Sequence, residues 1–190
     1  MNRSHKLRFL SRDDVLALGG MDISMVVDQV EAALLAWNRG DVLQPAKTTL
    51  KYLDQHERYG GLVNVLPAAL RDERGEIYGV KQLGAMPSNV EHGLPRATGV
   101  ITLFDGTTKT PVAVMDGQVI SAMRTGAVSA LAARVLCSTD TKHLGLVGAG
   151  VNMRTQLLGL LHTLSEAETV TVYSRGDSKH DFVATMSKRF

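Results

Sequence analysis

The stretch LGLVGAGVNMRTQLL places Gly148 and Gly150 between an all-apolar run and a segment of helical character. A Gly-X-Gly turn in that position leaves backbone amides at the positive end of a helix dipole, where a pyrophosphate can sit. Gly148 suits the tight turn and Gly150 the close approach of phosphate, with Val151 and Asn152 next in line as cofactor-binding candidates. Met153 stands where the usual third glycine would fall, so the turn taken alone is a weak signal. The next apolar run ends TVTVYSRGDSK, offering Ser174, Arg175 and, one turn further, Lys179. An acidic residue at that tip serves a ribose 2′-hydroxyl, whereas Arg with small hydroxyl residues serves a 2′-phosphate. These residues favour NADP(H) over NAD(H); the alternative is that Arg175 stacks on the adenine or faces water. Two further cations stand in apolar surroundings, Lys81 in GVKQLG and Arg124 in SAMRTG. An unpaired charge in such a place is costly, which favours a ligand partner. The alternatives for Arg124 are a solvent-facing guanidinium or a pair with an acid such as Asp116.

The elements that must position these residues follow from periodicity and turn chemistry. Ser11 with Asp14 makes a capping box and Gly19-Gly20 a stop, which predicts a first short helix. A second helix starts after Asp22; Met25, Val26, Val30, Ala33, Leu34 and Trp37 recur at three- and four-residue steps, and Gly40 ends it. Short runs separated by turn residues then predict strands at 47–53, 61–66, 77–83, 99–104 and 111–115, a mostly antiparallel α+β region. Residues 116–137 read as a long helix rich in small side chains that permit close approach of a neighbouring backbone, a buried connector. From 144 the order is strand (144–147), glycine turn, helix (153–164), strand (169–173) and a helix from Ser178, the β-α-β-α signature of a parallel sheet. The fold class is thus α/β: an α+β domain over 1–139 followed by the beginning of a Rossmann-type doubly wound sheet over 140–190. The second half of such a sheet would lie beyond Phe190.

Composition narrows the classes further. At 190 residues, 44% hydrophobic and 21% charged, the chain is long enough to build a core and too apolar to be disordered. A net charge of +2 demands no nucleic acid partner. The single Cys137 excludes an internal disulfide framework, and the six His show no metal-ligand spacing, so no metal is expected. No run of about 18 apolar residues stands out to span a membrane, and the N-terminus lacks the apolar stretch and cleavage site of a signal peptide. A cytoplasmic location is the expectation.

The runs PVAVMDGQVISAMRTGAVSALAARVL and LGLVGAGVNMRTQL closely resemble the ornithine cyclodeaminase/mu-crystallin family, and the similarity extends from Gln44-Pro45-Ala46-Lys47 to the C-terminus. The resemblance implies a substrate and dimerisation domain joined to a Rossmann domain, a homodimer, and hydride transfer between NAD(P) and the carbon-nitrogen bond of an α-amino acid or imine. It maps a clamp for the substrate carboxylate onto Lys47, Lys81 and Arg124, for which fixed charge-assisted hydrogen bonds are the suitable chemistry. It places Arg96 and Thr125 near the cofactor phosphates or nicotinamide, and the acid/base residue beyond Phe190, so that the chain alone is expected to be inactive. Asn64 stands where the cyclodeaminase has an acidic residue, which argues against an ornithine side chain. The alternative function is a non-catalytic ligand-binding or dimerisation module of the same family. His92, beside Glu91 in a Gly/Pro-rich loop, reads as a solvated loop residue rather than a proton carrier.

Overall fold

A computed structural model describes residues 6–53 and 59–188 of the chain. It divides into two compact units, Met1–Leu18 with Ala32–Ile120 and Gly19–Glu31 with Ser121–Phe190.

The first unit is built on a seven-stranded sheet. Its elements are β1 (Arg8–Leu10), α1 (Arg12–Ala17), the end of α2 (Ile23–Arg39), β2 (Val42–Leu43), β3 (Thr48–Leu53), β4 (Tyr59–Asp72), β5 (Gly75–Ala85), β6 (Ala97–Asp105) and β7 (Pro111–Asp116). The order is β1-β7-β6-β5-β4-β2, with β3 also on β4; β1 runs parallel to β7 and every other pair is antiparallel. The capping box at α1 is complete: Asp14 N–H donates to Ser11 Oγ at 3.2 Å and Ser11 N–H to Asp14 Oδ2 at 2.8 Å.

β4 extends eight residues in sum beyond its expected 61–66 limits and passes through Pro67, which lies opposite Val80. Pro67 falls between the stretch of β4 that pairs with β3, ending at Val65, and the stretch that pairs with β2, starting at Ala69. A missing N–H leaves no ladder bond unmade on that edge there. The expected helix over 116–137 is shorter: Asp116 ends β7, and its Oδ1 accepts from the N–H groups of Gln118 and Val119 at 3.1 Å each, opening α3 (Gln118–Leu136). Asp116 therefore caps a helix and is not the partner of Arg124.

At the far end of the sheet Glu76 accepts from Arg71 Nη2 at 2.7 Å, Tyr78 Oη at 2.8 Å and Lys109 Nζ at 3.2 Å, with Lys109 also 3.8 Å from the Tyr78 ring centre. Hydrogen bonding from Arg71 first, then Tyr78 and Lys109, pulls the Glu76 carboxyl from 4.5 down to about 2. A carboxyl depressed on folding contributes stability that is complete above pH 4.5 and disappears as pH falls toward 2. Glu76→Gln should therefore flatten the decline of the melting temperature across that window; parallel declines in the two proteins would contradict the assignment.

The second unit holds β8 (His143–Val147) and β9 (Thr169–Tyr173), paired in parallel from His143↔Thr169 to Val147↔Tyr173, with α4 (Val151–Thr163) and α5 (Ser178–Met186). Leu144, Leu146, Leu157, Leu164, Phe182 and Met186 close its core. Each such side chain contributes about 1.5–3 kcal/mol by leaving water. A second cluster packs Val27 of α2 on Ala127, Ala130 and Leu131 of α3.

Small residues let α3 and α4 touch backbone to backbone. A Cβ on Gly126 would stand 2.1 Å from the Thr155 carbonyl oxygen, and one on Gly159 would stand 2.4 Å from that of Gly126. α3 is buried where it meets α4 and α2, while Arg124, Val128, Val135 and Leu136 are exposed, so it is a half-covered helix and not a fully buried connector. By length and composition it is also apolar enough to cross a bilayer, contrary to the expectation that no segment was. The glycine contact with α4 gives its apolar character a different use, in the unit's own packing.

α2 departs from expectation too. Val27 and Ala36 are its buried residues, whereas Met25, Leu34 and Trp37 of the expected face are exposed, Trp37 by 58%. Of the expected stripe, Val26 and Val30 pack against the cluster that α2 shares with α3, and the remainder is exposed.

Candidate functional site

The glycine turn follows β8 directly. Gly148 adopts φ +116°, a backbone conformation that side-chain-bearing residues rarely adopt, and its N–H donates to the Tyr173 carbonyl at 2.7 Å. Gly150 is the N-cap of α4, in extended conformation, and no side chain caps that helix end. A Cβ on Gly150 would meet nothing within 4 Å, so the space above the turn is open to a ligand. Val151 and Asn152 form the first turn and are exposed. The helix begins two residues earlier than the expected Met153, because Gly150 rather than Asn152 is the cap.

The bond from Gly148 to Tyr173 ties the turn after β8 to the tip of β9. Val147 and Tyr173 are register partners, so Gly148 and Ser174 emerge side by side, about 4.8 Å apart on neighbouring strands. Ser174 Oγ donates to the Gly176 carbonyl at 2.8 Å and lies 3.3 Å from Ser178 Oγ, which shapes the turn. Arg175 is exposed on that turn and Lys179 is half-buried on the first turn of α5. Gly148, Gly150, Val151, Asn152, Ser174 and Arg175 thus lie beyond the C-terminal ends of the two parallel strands.

The other sequence candidates fall in different places. In the first unit, Lys47 is exposed immediately before β3, Lys81 is half-buried in the middle of β5, and Arg96 is exposed just before β6, its carbonyl accepting from Met86 N–H at 2.9 Å. In the second unit, Arg124 and Thr125 lie on α3. Arg124 is exposed, so the cost of burying its charge, which pointed to a ligand, does not arise in this chain. Thr125 Oγ1 donates to the Ser121 carbonyl at 2.8 Å, leaving its lone pairs as acceptors. His92 ends a short 3-10 segment and is exposed. Among the described residues no three His, Cys, Asp or Glu side chains come together.

Sequence reasoning missed Arg154. Its Nη2 meets Asp181 Oδ2 at 2.8 Å and its guanidinium stands 5.4 Å from the Phe182 ring centre, which locks the start of α4 to α5. Its spacing from Asp181 gives no local signal, since the pair crosses a strand.

A parallel β-α-β-α unit with an uncapped glycine turn and two adjacent strand tips is of the Rossmann type, a nucleotide-binding class of fold. The matching family model, described as the ornithine cyclodeaminase/mu-crystallin family, covers residues 7–190. The chain belongs to this family. It is 34% identical over 176 residues to the N-((2S)-2-amino-2-carboxyethyl)-L-glutamate dehydrogenase of Staphylococcus aureus, covering 92% of this chain and 52% of that protein. Among solved structures, the Thermococcus litoralis Δ1-pyrroline-2-carboxylate reductase in complex with NADH and L-proline matches with TM-score 0.86 and 34% identity, over 96% of this chain and 54% of that one. An archaeal alanine dehydrogenase dimer with bound NAD matches with TM-score 0.84 and 27% identity, over 96% and 53%. The chain spans about half the length of these relatives.

Proposed function

We propose that the chain is the substrate domain and the opening of the nucleotide domain of an NAD(P)-dependent oxidoreductase acting at the C–N bond of an α-amino acid or imine. The observation that carries this reading is the Gly148–Tyr173 hydrogen bond, which sets the glycine turn beside the Ser174–Arg175 tip. In this reading Gly148, Gly150, Val151 and Asn152 receive the pyrophosphate, and Ser174, Arg175 and Lys179 receive the adenosine end. Lys47, Lys81 and Arg124 hold the substrate carboxylate, while Arg96 and Thr125 contact the cofactor. The nicotinamide supplies the hydride chemistry; the chain's own residues bind and orient. Residues 1–139 then carry the substrate clamp, with Arg96 and Thr125 reaching the cofactor, and 140–190 the glycine turn and adenosine end, a functional division distinct from the two compact units. The two solved relatives support this reading through the NADH, L-proline and NAD they carry.

NADP(H) is the proposed cofactor rather than NAD(H). Loss of one charge-assisted hydrogen bond costs about 1.5–3 kcal/mol, roughly 10- to 100-fold in affinity. Arg175→Ala should weaken NADPH by that factor and NADH by less than twofold, measured by nicotinamide fluorescence. Equal losses for the two would refute the assignment. The functional test adds amino acids to the NADPH-loaded chain: a second, saturable fluorescence change is expected, and Lys81→Met should remove it while sparing the first. Absence of any amino-acid response across a broad panel would sink the reading.

We also propose a homodimer formed through the first unit. Leu43, Leu50 and Tyr52 of the neighbouring β2 and β3 are 61–93% exposed there, an apolar surface of the kind that partners cover. The archaeal alanine dehydrogenase, similar in fold, is a dimer.

A further inference from the structure

The starts of α4 and α5 carry residues proposed for the two ends of the cofactor, and the side chain that ties these starts together has no part in that proposal. Arg154 closes the first turn of α4, where its backbone N–H donates to the Gly150 carbonyl at 3.3 Å. Its side chain crosses to α5: Nη2 donates to Asp181 Oδ2 at 2.8 Å, and the guanidinium stands 5.4 Å from the Phe182 ring centre. Asp181 lies in the first turn of α5, two residues beyond Lys179.

The other restraints on this end of α5 lack direction. Its buried residues are Phe182 and Met186, one turn apart, and apolar contact is non-directional. They set which face of α5 meets the core without setting where its first turn points. The turn leading in contains Gly176, around which a Cβ would meet nothing, and Asp177 gives the helix no side-chain cap. Ser174 Oγ reaches the Gly176 carbonyl and Ser178 Oγ, which shapes the turn but does not tie it to α4. A charge-assisted hydrogen bond is directional, and a guanidinium over an aromatic ring adds a second restraint. Arg154 supplies both at the end of α5 that follows Arg175 and carries Lys179. As a stabilising contact the pair has less to offer. The Arg154 side chain is 30% exposed and that of Asp181 77%, and ion pairs so open to water contribute little to folding.

We infer that Arg154 is a positioning residue for the adenosine end of the cofactor. Through Asp181 and Phe182 it holds the start of α5, and with it Arg175 and Lys179, at the distance from the glycine turn that a 2′-phosphate requires. The inference rests on the proposed assignment of the turn and the tip to NADP(H). Arg154 acts through α5 and not by contact with the cofactor.

Fluorescence titration of the chain with NADPH and with NADH tests this, because the sign of one result separates positioning from charge. Asp181→Asn removes a negative charge, so charge alone would make an anionic cofactor bind tighter. Positioning demands the reverse. NADPH affinity should fall by about threefold or more in Asp181→Asn and in Arg154→Met, which keeps an unbranched apolar cover on the Phe182 ring. NADH should stay within twofold in both. The melting temperature should move by no more than about 4 °C, as expected of an exposed pair. Tighter or unchanged NADPH binding in Asp181→Asn overturns the inference. An equal loss of both dinucleotides, or a larger fall in melting temperature, marks a purely structural contact and overturns it as well. Arg175→Ala keeps the reading beneath it separate: a loss of NADPH there, with none in Asp181→Asn, leaves that reading standing and the inference refuted. If neither dinucleotide binds the parent chain, the reading fails and the inference falls with it.

Discussion

Replacing Gly126 by Ala should destabilise the chain even though alanine is the better helix former. Intrinsic propensity favours Ala over Gly by about 1 kcal/mol in a helix interior. Against it stands the added Cβ, placed 2.1 Å from the Thr155 carbonyl oxygen and 2.6 Å from its carbon. These are backbone atoms of α4, which cannot swing aside as a side-chain tip can, so α3 and α4 must separate. That also pulls Gly159 away from the Gly126 carbonyl and loosens Ala130 from α4. Overpacking costs about 1–3 kcal/mol, and a clash with immovable backbone falls in the upper part of that range, about 2–3 kcal/mol, so the net loss for Ala is about 1–2 kcal/mol, with Val at or beyond the upper end. Urea denaturation measures it. Gly145→Ala is the control, since a Cβ there meets nothing within 4 Å, and it should stay within about 0.5 kcal/mol of the parent. A Gly126→Ala protein as stable as the control would mean that the two helices do not meet through their backbones.

The second large effect is on cofactor affinity. Gly148→Val demands φ +116° of a β-branched residue, a strain of about 1–3 kcal/mol. The segment can escape that strain only by rotating the backbone, which breaks the 2.7 Å bond to the Tyr173 carbonyl and moves the turn away from the β9 tip. NADPH affinity should fall at least tenfold in Gly148→Val. The core of the second unit, formed by Leu144, Leu146 and Leu157 among others, does not include Gly148, so the helical circular dichroism should persist. Unchanged NADPH affinity would show that the turn is a connector and no more.

The parts of this arrangement that are legible in the sequence are those with strong local causes. The all-apolar run from Leu144 to Val147, the glycines after it and the small residues of α3 each obey one rule, and together they mark the order of the second unit. Ser11 and Asp14 announce α1 in the same way. β1 and β2 are not legible, because three and two residues carry no period; they exist only through pairing with β7 and β4. The extent of β4 is hidden by Pro67, whose tolerance depends on a gap between two partner strands. For α2, periodicity identifies an apolar stripe but not what covers it, so Leu34 and Trp37 look like core and are exposed. The burial expected around Arg124 differs for a related reason: apolar neighbours in sequence do not imply burial when part of a helix surface stays exposed. The Thr49–Asn64 hydrogen bond is invisible until register places two residues fifteen apart on one face.

In the proposed function the glycine turn of α4 and the tip of β9 together receive a nicotinamide dinucleotide. Amide-resolved NMR of the chain titrated with NADPH tests it most directly. Saturable shifts should be largest at Gly148, Gly150, Val151 and Asn152 and at Ser174 and Arg175, with the strands of the first unit little changed. Shifts scattered elsewhere, or none at saturating NADPH, would contradict the account.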